Sequence, residues 1–499
     1  MAPSSRVAKF LLLCMTLSMM NPVAAQQMDA ASLQQRMIEA QGKPPDQYRE
    51  EIITSSSLEG TYLRREYHRG LDYRIVYGTG AYQHQAGRVE GREWDQDANG
   101  ITTVHDSTPS QERVEPRRVT VTRVNQPVSA WRITDQDVHG YGTIRYLDPS
   151  NYHLVRVENL TPTGTITTVY DEFRADGGYT TAHHMVTDDA TTGAHIDANV
   201  ITFTSTTISD ADLAMPPSRK FIEFPAGSGA VTLPTDTNPP HVTVRVTIGD
   251  RTFNFLLDTS SQGITLDANV ARQIGLINTT QTLLANARRT GVQATIPEMR
   301  VGALRMHNVV VSLGPVSADQ QIASQAVGAL GYDFFRSATV TFDHSKRRVT
   351  AVPSDQFVAP VMTPDSDILR VRVIDHQPTV SAKINGAPAE RIVLDTGAGA
   401  DMILFGYFVR RYPEIFTSKL ANPQDPTLYG GAKEPDAKGY RMQEVDIGRY
   451  NFKPFDVITI DQLKNYSPET DGLMGPGMLD HFAASLDLLG GKLYLLYTG

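Results

Sequence analysis

The chain contains very little cysteine, so no disulfide framework can be built from it. Cys14 is the one cysteine among 499 residues. It lies within the apolar run Phe10 to Met20, which follows basic residues and leads to a small-residue stretch ending at Ala25, a pattern typical of a secretory signal peptide. We therefore expect residues 1–25 to be removed on export, either to the periplasm of a Gram-negative bacterium or to the outside of the cell.

Charge and motif content exclude several further classes of protein. The net charge of −9 offers no general attraction to nucleic acid or to an anionic membrane. After the leader there is no apolar run of about 18 residues, so no transmembrane segment is expected. The 13 histidines show no metal-ligand spacing, and no nucleophile elbow or phosphate-binding glycine loop occurs. The sequence therefore predicts no metal, no cofactor and no nucleic-acid partner.

What the chain does contain is a repeated acidic turn. Asp258-Thr259-Ser260 and Asp395-Thr396-Gly397 each end an apolar run, and the two aspartates are 137 residues apart. Each turn is followed by an apolar pair closed by glycine, at Gly331 and Gly475, and these glycines are 144 residues apart. The chain from about residue 230 onward therefore reads as a duplicated unit. Two carboxylates brought together by such a duplication would share a proton and could activate a water molecule.

These motifs resemble those of the bacterial retropepsin-like aspartic proteases. The best matches are Leu394 to Ala398 and Val327 to Phe335. The resemblance implies a bilobal β fold in which Asp258 and Asp395 form a catalytic dyad, no cofactor takes part, and the substrate is a peptide or protein. It also implies a monomer, because one chain supplies both lobes.

Residues around the dyad take supporting roles by the same resemblance, with each threonine hydroxyl bonding across to the other lobe. Ser260 replaces the family's glycine, which either widens the dyad or is tolerated. Because Ser261 carries a hydroxyl and Ala398 does not, we expect Asp258 to be the ionised partner. The supporting positions are Thr259, Ser260, Ser261, Thr396, Gly397, Ala398, Gly331 and Gly475.

Two segments between the acidic turns and the glycine motifs are candidates for flaps that close over a bound peptide. One contains Arg289 and Gly291, and the other contains Gly430 and Gly431. Both are equally compatible with ordinary exposed hairpins or loops, because glycine and arginine are common there.

The rest of the chain predicts a mainly β protein. A helix is expected over residues 29–41, and short strands separated by turn residues follow it. Their order resembles the antiparallel half-barrel with one helix of lipoprotein-carrier (LolA-like) domains, over residues 28–215. A proline- and glycine-rich linker is expected at 216–240, and the two lobes at 241–355 and 366–499.

Three functional classes remain open from the sequence. The first is an exported aspartic endopeptidase that uses Asp258 and Asp395. The second is a catalytically weak or inactive envelope protein that binds a peptide or a lipid-like ligand on the same scaffold. The third is a purely structural envelope protein, in which the two Asp-Thr segments are ordinary turns.

Overall fold

The chain forms two compact units in the computed structural model. The first comprises residues up to 96 together with 114–216, and the second comprises 97–113 and 217–499. Both units are mainly β, as predicted. No helix in the described part of the chain is long and apolar enough to cross a membrane. The structure describes residues 28–57, 60–78, 82–105, 115–238, 241–279, 292–314, 325–420, 437–461, 466–467 and 469–498.

The first unit is one antiparallel half-barrel sheet with a helix at its start. The sheet order is β5-β4-β3-β2-β1-β13-β12-β11-β10-β9-β8-β7. The strands up to residue 205 are β1 (Gln47–Ser56), β2 (Gly60–Arg69), β3 (Asp72–Tyr77), β4 (His84–Val89), β5 (Arg92–Gln96), β6 (Thr102–Val104, in the second unit), β7 (Arg117–Val124), β8 (Ala130–Asp137), β9 (Gly142–Leu147), β10 (Leu154–Thr161), β11 (Gly164–Asp176), β12 (Tyr179–Asp189) and β13 (Ala194–Ser205).

Helix α1 (Ala30–Gln41) confirms the helix predicted from the sequence. The Asp29 side chain caps it by accepting a hydrogen bond from the Ser32 backbone N–H at 2.7 Å. Its apolar side buries Leu33 and Met37 against side chains of the sheet. A second short helix, α2 (Asp210–Leu213), follows the last strand of this unit.

Over its described residues, the second unit contains three sheets and three short α-helices. The helices are α3 (Ala268–Gln273), α4 (Tyr332–Ser337) and α5 (Gly406–Arg411), with 3₁₀ turns at Ser354–Gln356, Pro413–Ile415 and Pro476–Met478. The strands are β14 (Ile222–Glu223), β15 (Val231–Thr232), β16 (Thr235–Asn238), β17 (His241–Ile248), β18 (Arg251–Leu257), β19 (Thr265–Asp267), β20 (Gln293–Val301), β21 (Leu304–Gly314), β22 (Ala326–Leu330), β23 (Ala338–Asp343), β24 (Arg348–Pro353), β25 (Ser366–Arg370), β26 (Arg372–Ile374), β27 (Gln377–Ile384), β28 (Ala387–Leu394), β29 (Met402–Phe405), β30 (Lys438–Met442), β31 (Val445–Ile447), β32 (Tyr450–Phe452), β33 (Phe455–Ile460), β34 (Gly472–Met474), β35 (Phe482–Asp487) and β36 (Lys492–Tyr497).

The two lobes of this unit repeat one strand arrangement. In the first lobe β18 pairs in parallel with β22, and β19 pairs with both β22 and β21. In the second lobe β28 pairs in parallel with β34, and β29 pairs with both β34 and β33. A six-stranded sheet, β15-β24-β23-β35-β36-β25, joins the lobes through the antiparallel pair β23 and β35.

Residues 217–238 differ from the linker that their proline and glycine content predicts. Short segments between the prolines form strands that pair with strands of the second unit: β14 with β21, β15 with β24, and β16 with β17. Phe221 and Leu233 are buried in the core of the second unit. This stretch therefore adds strands to the second unit's sheets.

A segment from within the predicted half-barrel range, residues 97–105, also belongs to the second unit. The buried Asn99 side-chain amide donates to the Val310 carbonyl at 2.9 Å and to Asp333 Oδ2 at 2.7 Å. Its oxygen accepts from the Val310 N–H at 2.8 Å. Ile101 is 1% exposed in the core, and the Thr103 and Tyr332 hydroxyls are 2.5 Å apart. Residues 97–105 are thus hydrogen-bonded to β21 and to α4.

We predict that Asn99→Ala will destabilise the second unit by about 2–4 kcal/mol, because it leaves the buried polar groups of Val310 and Asp333 without their partner. Hydrogen–deuterium exchange of the β21 amides should show the loss of protection. Asn451→Ala, which removes an exposed amide that donates to the half-buried carboxylates of Glu444 and Asp446, is the matched control and should leave β21 protected. Equal protection in both variants would contradict the prediction.

Candidate active site

The site is formed by two equivalent turns at the ends of β18 and β28. The Asp258 N–H donates to the Leu330 carbonyl at 3.1 Å, and the Asp395 N–H donates to the Met474 carbonyl at 2.8 Å. Each turn then closes in the same way, with the N–H of the third following residue donating to the aspartate carbonyl at 3.2 Å. The parallel partners β22 and β34 therefore fix where each aspartate leaves its strand.

Two threonines connect the turns across the lobes. The Thr259 hydroxyl donates to the Leu394 carbonyl at 2.6 Å, and the Thr396 hydroxyl donates to the Leu257 carbonyl at 2.7 Å. Each threonine N–H also donates to the other threonine's hydroxyl oxygen, both at 3.1 Å. These four reciprocal bonds are buried, and they hold the turn that carries Asp258 against the turn that carries Asp395.

The two carboxylates are buried and have different surroundings. Asp258 is 5% exposed, and its Oδ1 accepts from the Ser260 N–H at 2.9 Å, the Ser260 hydroxyl at 2.8 Å and the Ser261 N–H at 3.2 Å. Asp395 is 0% exposed. Its Oδ1 accepts from the Gly397 N–H at 2.9 Å, and its Oδ2 accepts from the Tyr466 hydroxyl at 2.7 Å.

Burial, followed by the nearby charge of Asp395, raises the pKa of Asp258 to about 7 despite its three hydrogen-bond donors. The prediction that the Ser261 hydroxyl keeps Asp258 ionised is wrong, because that hydroxyl donates to the Gly263 carbonyl at 2.9 Å. The hydroxyl that reaches Asp258 is that of Ser260. Burial and the neighbouring Asp395 charge therefore both favour the protonated form of Asp258.

The glycines of the motifs stand where the backbone approaches other atoms closely. A Cβ at Gly397 would lie 2.8 Å from Asp258 Cγ. A Cβ at Gly331 would lie 2.3 Å from the Ser261 carbonyl oxygen, and one at Gly475 would lie 1.9 Å from the Ala400 carbonyl oxygen. Ser260 does not adopt a positive φ, so its Cβ causes no backbone strain. The third position of the Asp395 turn thus requires glycine, whereas the same position of the Asp258 turn accepts serine.

Two site residues were not found from the sequence. The Tyr466 hydroxyl contacts Asp395 from 71 positions along the chain, and the Gln377 side chain donates to the Ser260 carbonyl at 2.8 Å from the other lobe. Neither residue belongs to a local motif, and only the folded lobes bring them to the turns.

The flap candidates Arg289, Gly291, Gly430 and Gly431 lie outside the described residues. Among the residues that are described, no group of three or more His, Cys, Asp or Glu side chains is arranged to hold a metal ion.

Residues 244–334 match the family model of aspartyl proteases. This range includes the first acidic turn and the first glycine motif. No curated protein matches the chain.

Solved structures similar to parts of the chain are related to it only distantly in sequence. A retropepsin-like aspartic protease from Rickettsia conorii is 16% identical over 25% of this chain and 89% of its own, with a TM-score of 0.18. An aspartic proteinase from Irpex lacteus is 12% identical over 54% and 98%, with a TM-score of 0.32. A LolA superfamily protein from Nitrosomonas europaea is 12% identical over 38% and 98%, with a TM-score of 0.29.

We predict that Thr396→Val will lower the stability of the second unit by about 2–4 kcal/mol, since the Leu257 carbonyl and the Thr259 N–H lose their buried partner. Thr339→Val is the matched control. Thr339 is 0% exposed, and its hydroxyl has no hydrogen-bond partner among the described residues, so valine should be neutral or stabilising there. Thermal melts followed by circular dichroism would compare them, and equal melting temperatures would contradict the prediction.

Proposed function

We propose that the chain is an exported aspartic endopeptidase that hydrolyses peptide bonds with a water molecule held between Asp258 and Asp395. The observation that carries this proposal is the reciprocal threonine bonding, which joins two buried acidic turns of equivalent lobes. The family match over 244–334 supports the same class of reaction. Because both acidic turns belong to one compact unit, we further propose that a single chain provides the whole site.

The chemistry proceeds with one carboxyl protonated and its partner ionised. The carboxylate removes a proton from water as the water oxygen attacks the peptide carbonyl carbon, and the protonated carboxyl donates its proton to the carbonyl oxygen. The carboxyl that took the water proton then gives it to the amide nitrogen of the resulting diol, while the other carboxylate takes a proton from a diol hydroxyl. The carbon–nitrogen bond breaks, a carboxylic acid and an amine leave, and the starting protonation of the two residues is restored. The raised pKa of Asp258 supports a shared proton at acidic to near-neutral pH.

The leader pattern of residues 1–25 supports export. The periplasm is therefore the proposed location. The alternative of a binding protein on the same scaffold is tested by the same experiment as the protease, because a binding protein would retain a peptide without cleaving it.

We expect Asp258→Asn and Asp395→Asn each to reduce peptide hydrolysis at least about 1000-fold, because the reaction needs one residue as base and the other as acid. The assay is cleavage of a mixed peptide library by the full-length mature protein, read by mass spectrometry. Asp250→Asn, at the exposed turn between β17 and β18, is the matched control. Substantial hydrolysis by Asp258→Asn would rule out the single-chain dyad, and an inactive wild type would favour the binding protein.

A second pair of variants tests the geometry of the dyad. Gly397→Ala should abolish hydrolysis, because its methyl group would occupy the position 2.8 Å from Asp258 Cγ and force the carboxyl to move. Ser260→Gly, which restores the family's residue, removes only one of three donors to Asp258 and should change kcat/KM less than about tenfold. Full activity of Gly397→Ala would show that the dyad does not have this spacing in the working enzyme.

A further inference from the structure

Asp395 receives a hydrogen bond from a residue outside the acidic motif. The Tyr466 hydroxyl lies 2.7 Å from Asp395 Oδ2, and the tyrosine is 3% exposed. An O–H···O contact of this length to a carboxylate is in the range of charge-assisted hydrogen bonds. Within the acidic turn, Ala398 stands at the position of Ser261 in the other turn and offers only a methyl group.

Tyr466 is held firmly in this position. Its ring packs against Phe405 with the ring centroids 5.3 Å apart. Five residues further on, the buried Asp471 forms an ion pair with Arg411 and accepts a hydrogen bond from the Arg391 N–H at 2.9 Å. The apolar cluster around the tyrosine consists of Val393, Ala398, Ile403, Phe405, Ile460 and Leu473. The ring is therefore enclosed by apolar side chains while its hydroxyl reaches the carboxylate.

The hydrogen bonds make the two carboxylates unequal. Every hydrogen bond that Asp258 accepts from the described residues goes to its Oδ1 atom, which leaves its Oδ2 atom available to carry a proton. Asp395 accepts a hydrogen bond on each of its oxygens, so a proton on either oxygen would compete with a donor that is already there.

We propose that Tyr466 is a positioning residue that fixes the Asp395 carboxylate and favours its ionised form, so that Asp395 is the base of the dyad and Asp258 carries the shared proton. The assignment of base and acid rests on the proposed protease function, whereas the effect of Tyr466 on Asp395 does not. The raised pKa of Asp258 agrees with this division.

Within the described part of the chain, Asp258 and His241 are titratable groups that interact with the charge of Asp395. Burial lowers the pKa of His241, and the charge of Asp395 opposes that shift. Any test must therefore remove the coupling to Asp258 and keep His241 unchanged.

The test titrates Asp395 alone, in the full-length Asp258→Asn protein, by carbon-13 NMR of the labelled aspartate carboxyl. The Asp395 signal is assigned by its loss on Asp395→Asn. Adding Tyr466→Phe, which keeps the ring against Phe405, should raise the pKa of Asp395 by about one unit. Adding Tyr494→Phe instead, at a buried tyrosine on β36, should leave that pKa unchanged. Melting by circular dichroism checks that each variant is folded.

The outcomes separate the two proposals. An equal Asp395 pKa with and without the Tyr466 hydroxyl overturns the positioning role, whether or not the protein is an enzyme. A raised pKa together with an inactive wild type keeps the positioning role and rejects the protease. If the wild type is active, the acidic limb of its kcat/KM profile should move to higher pH in Tyr466→Phe, because ionised Asp395 is needed as base. An unmoved limb would contradict the assignment of Asp395 as base.

Discussion

The reciprocal bonds of Thr259 and Thr396 are the constraint on which the site depends. Two buried carboxyl groups repel each other when both are charged, so the lobes need a separate attraction to hold them close. The threonine hydroxyls provide it by bonding to the carbonyls that precede the opposite aspartate. Because each hydroxyl also accepts an N–H from across the interface, the geometry is fixed in both directions.

The surrounding sheets keep this small interface in register. The β23 and β35 pair joins the lobes through main-chain hydrogen bonds, and one continuous apolar core runs through both of them. A shift of one lobe against the other would break strand pairing and expose apolar surface, in addition to separating the threonines. The two acidic turns are therefore held by the surrounding sheets, as the proposed reaction would require of its carboxyl groups.

Much of this was predictable because its signals are local. Asp29 and Gly42 are typical residues for the two ends of a helix, and they cap helix α1. The two Asp-Thr motifs and the glycines that follow them occur at a repeated spacing along the chain. Tyr466 and Gln377 could not be predicted in the same way, because a single polar residue reveals its partner only when distant strands pair. The hydroxyl donor to Asp258 was assigned to the wrong serine, because the conformation of the turn decides whether Ser260 or Ser261 reaches the carboxylate.

The Asn99 segment makes the second unit discontinuous along the chain. Its residues are synthesised more than 200 positions before Val310 and Asp333, the groups that they bond. Such contacts close a long stretch of chain, which costs conformational entropy that the bonds must offset. Recombination that moves only residues 217–499 into another protein would leave this segment behind. A complete second unit can therefore be transferred only together with the first unit.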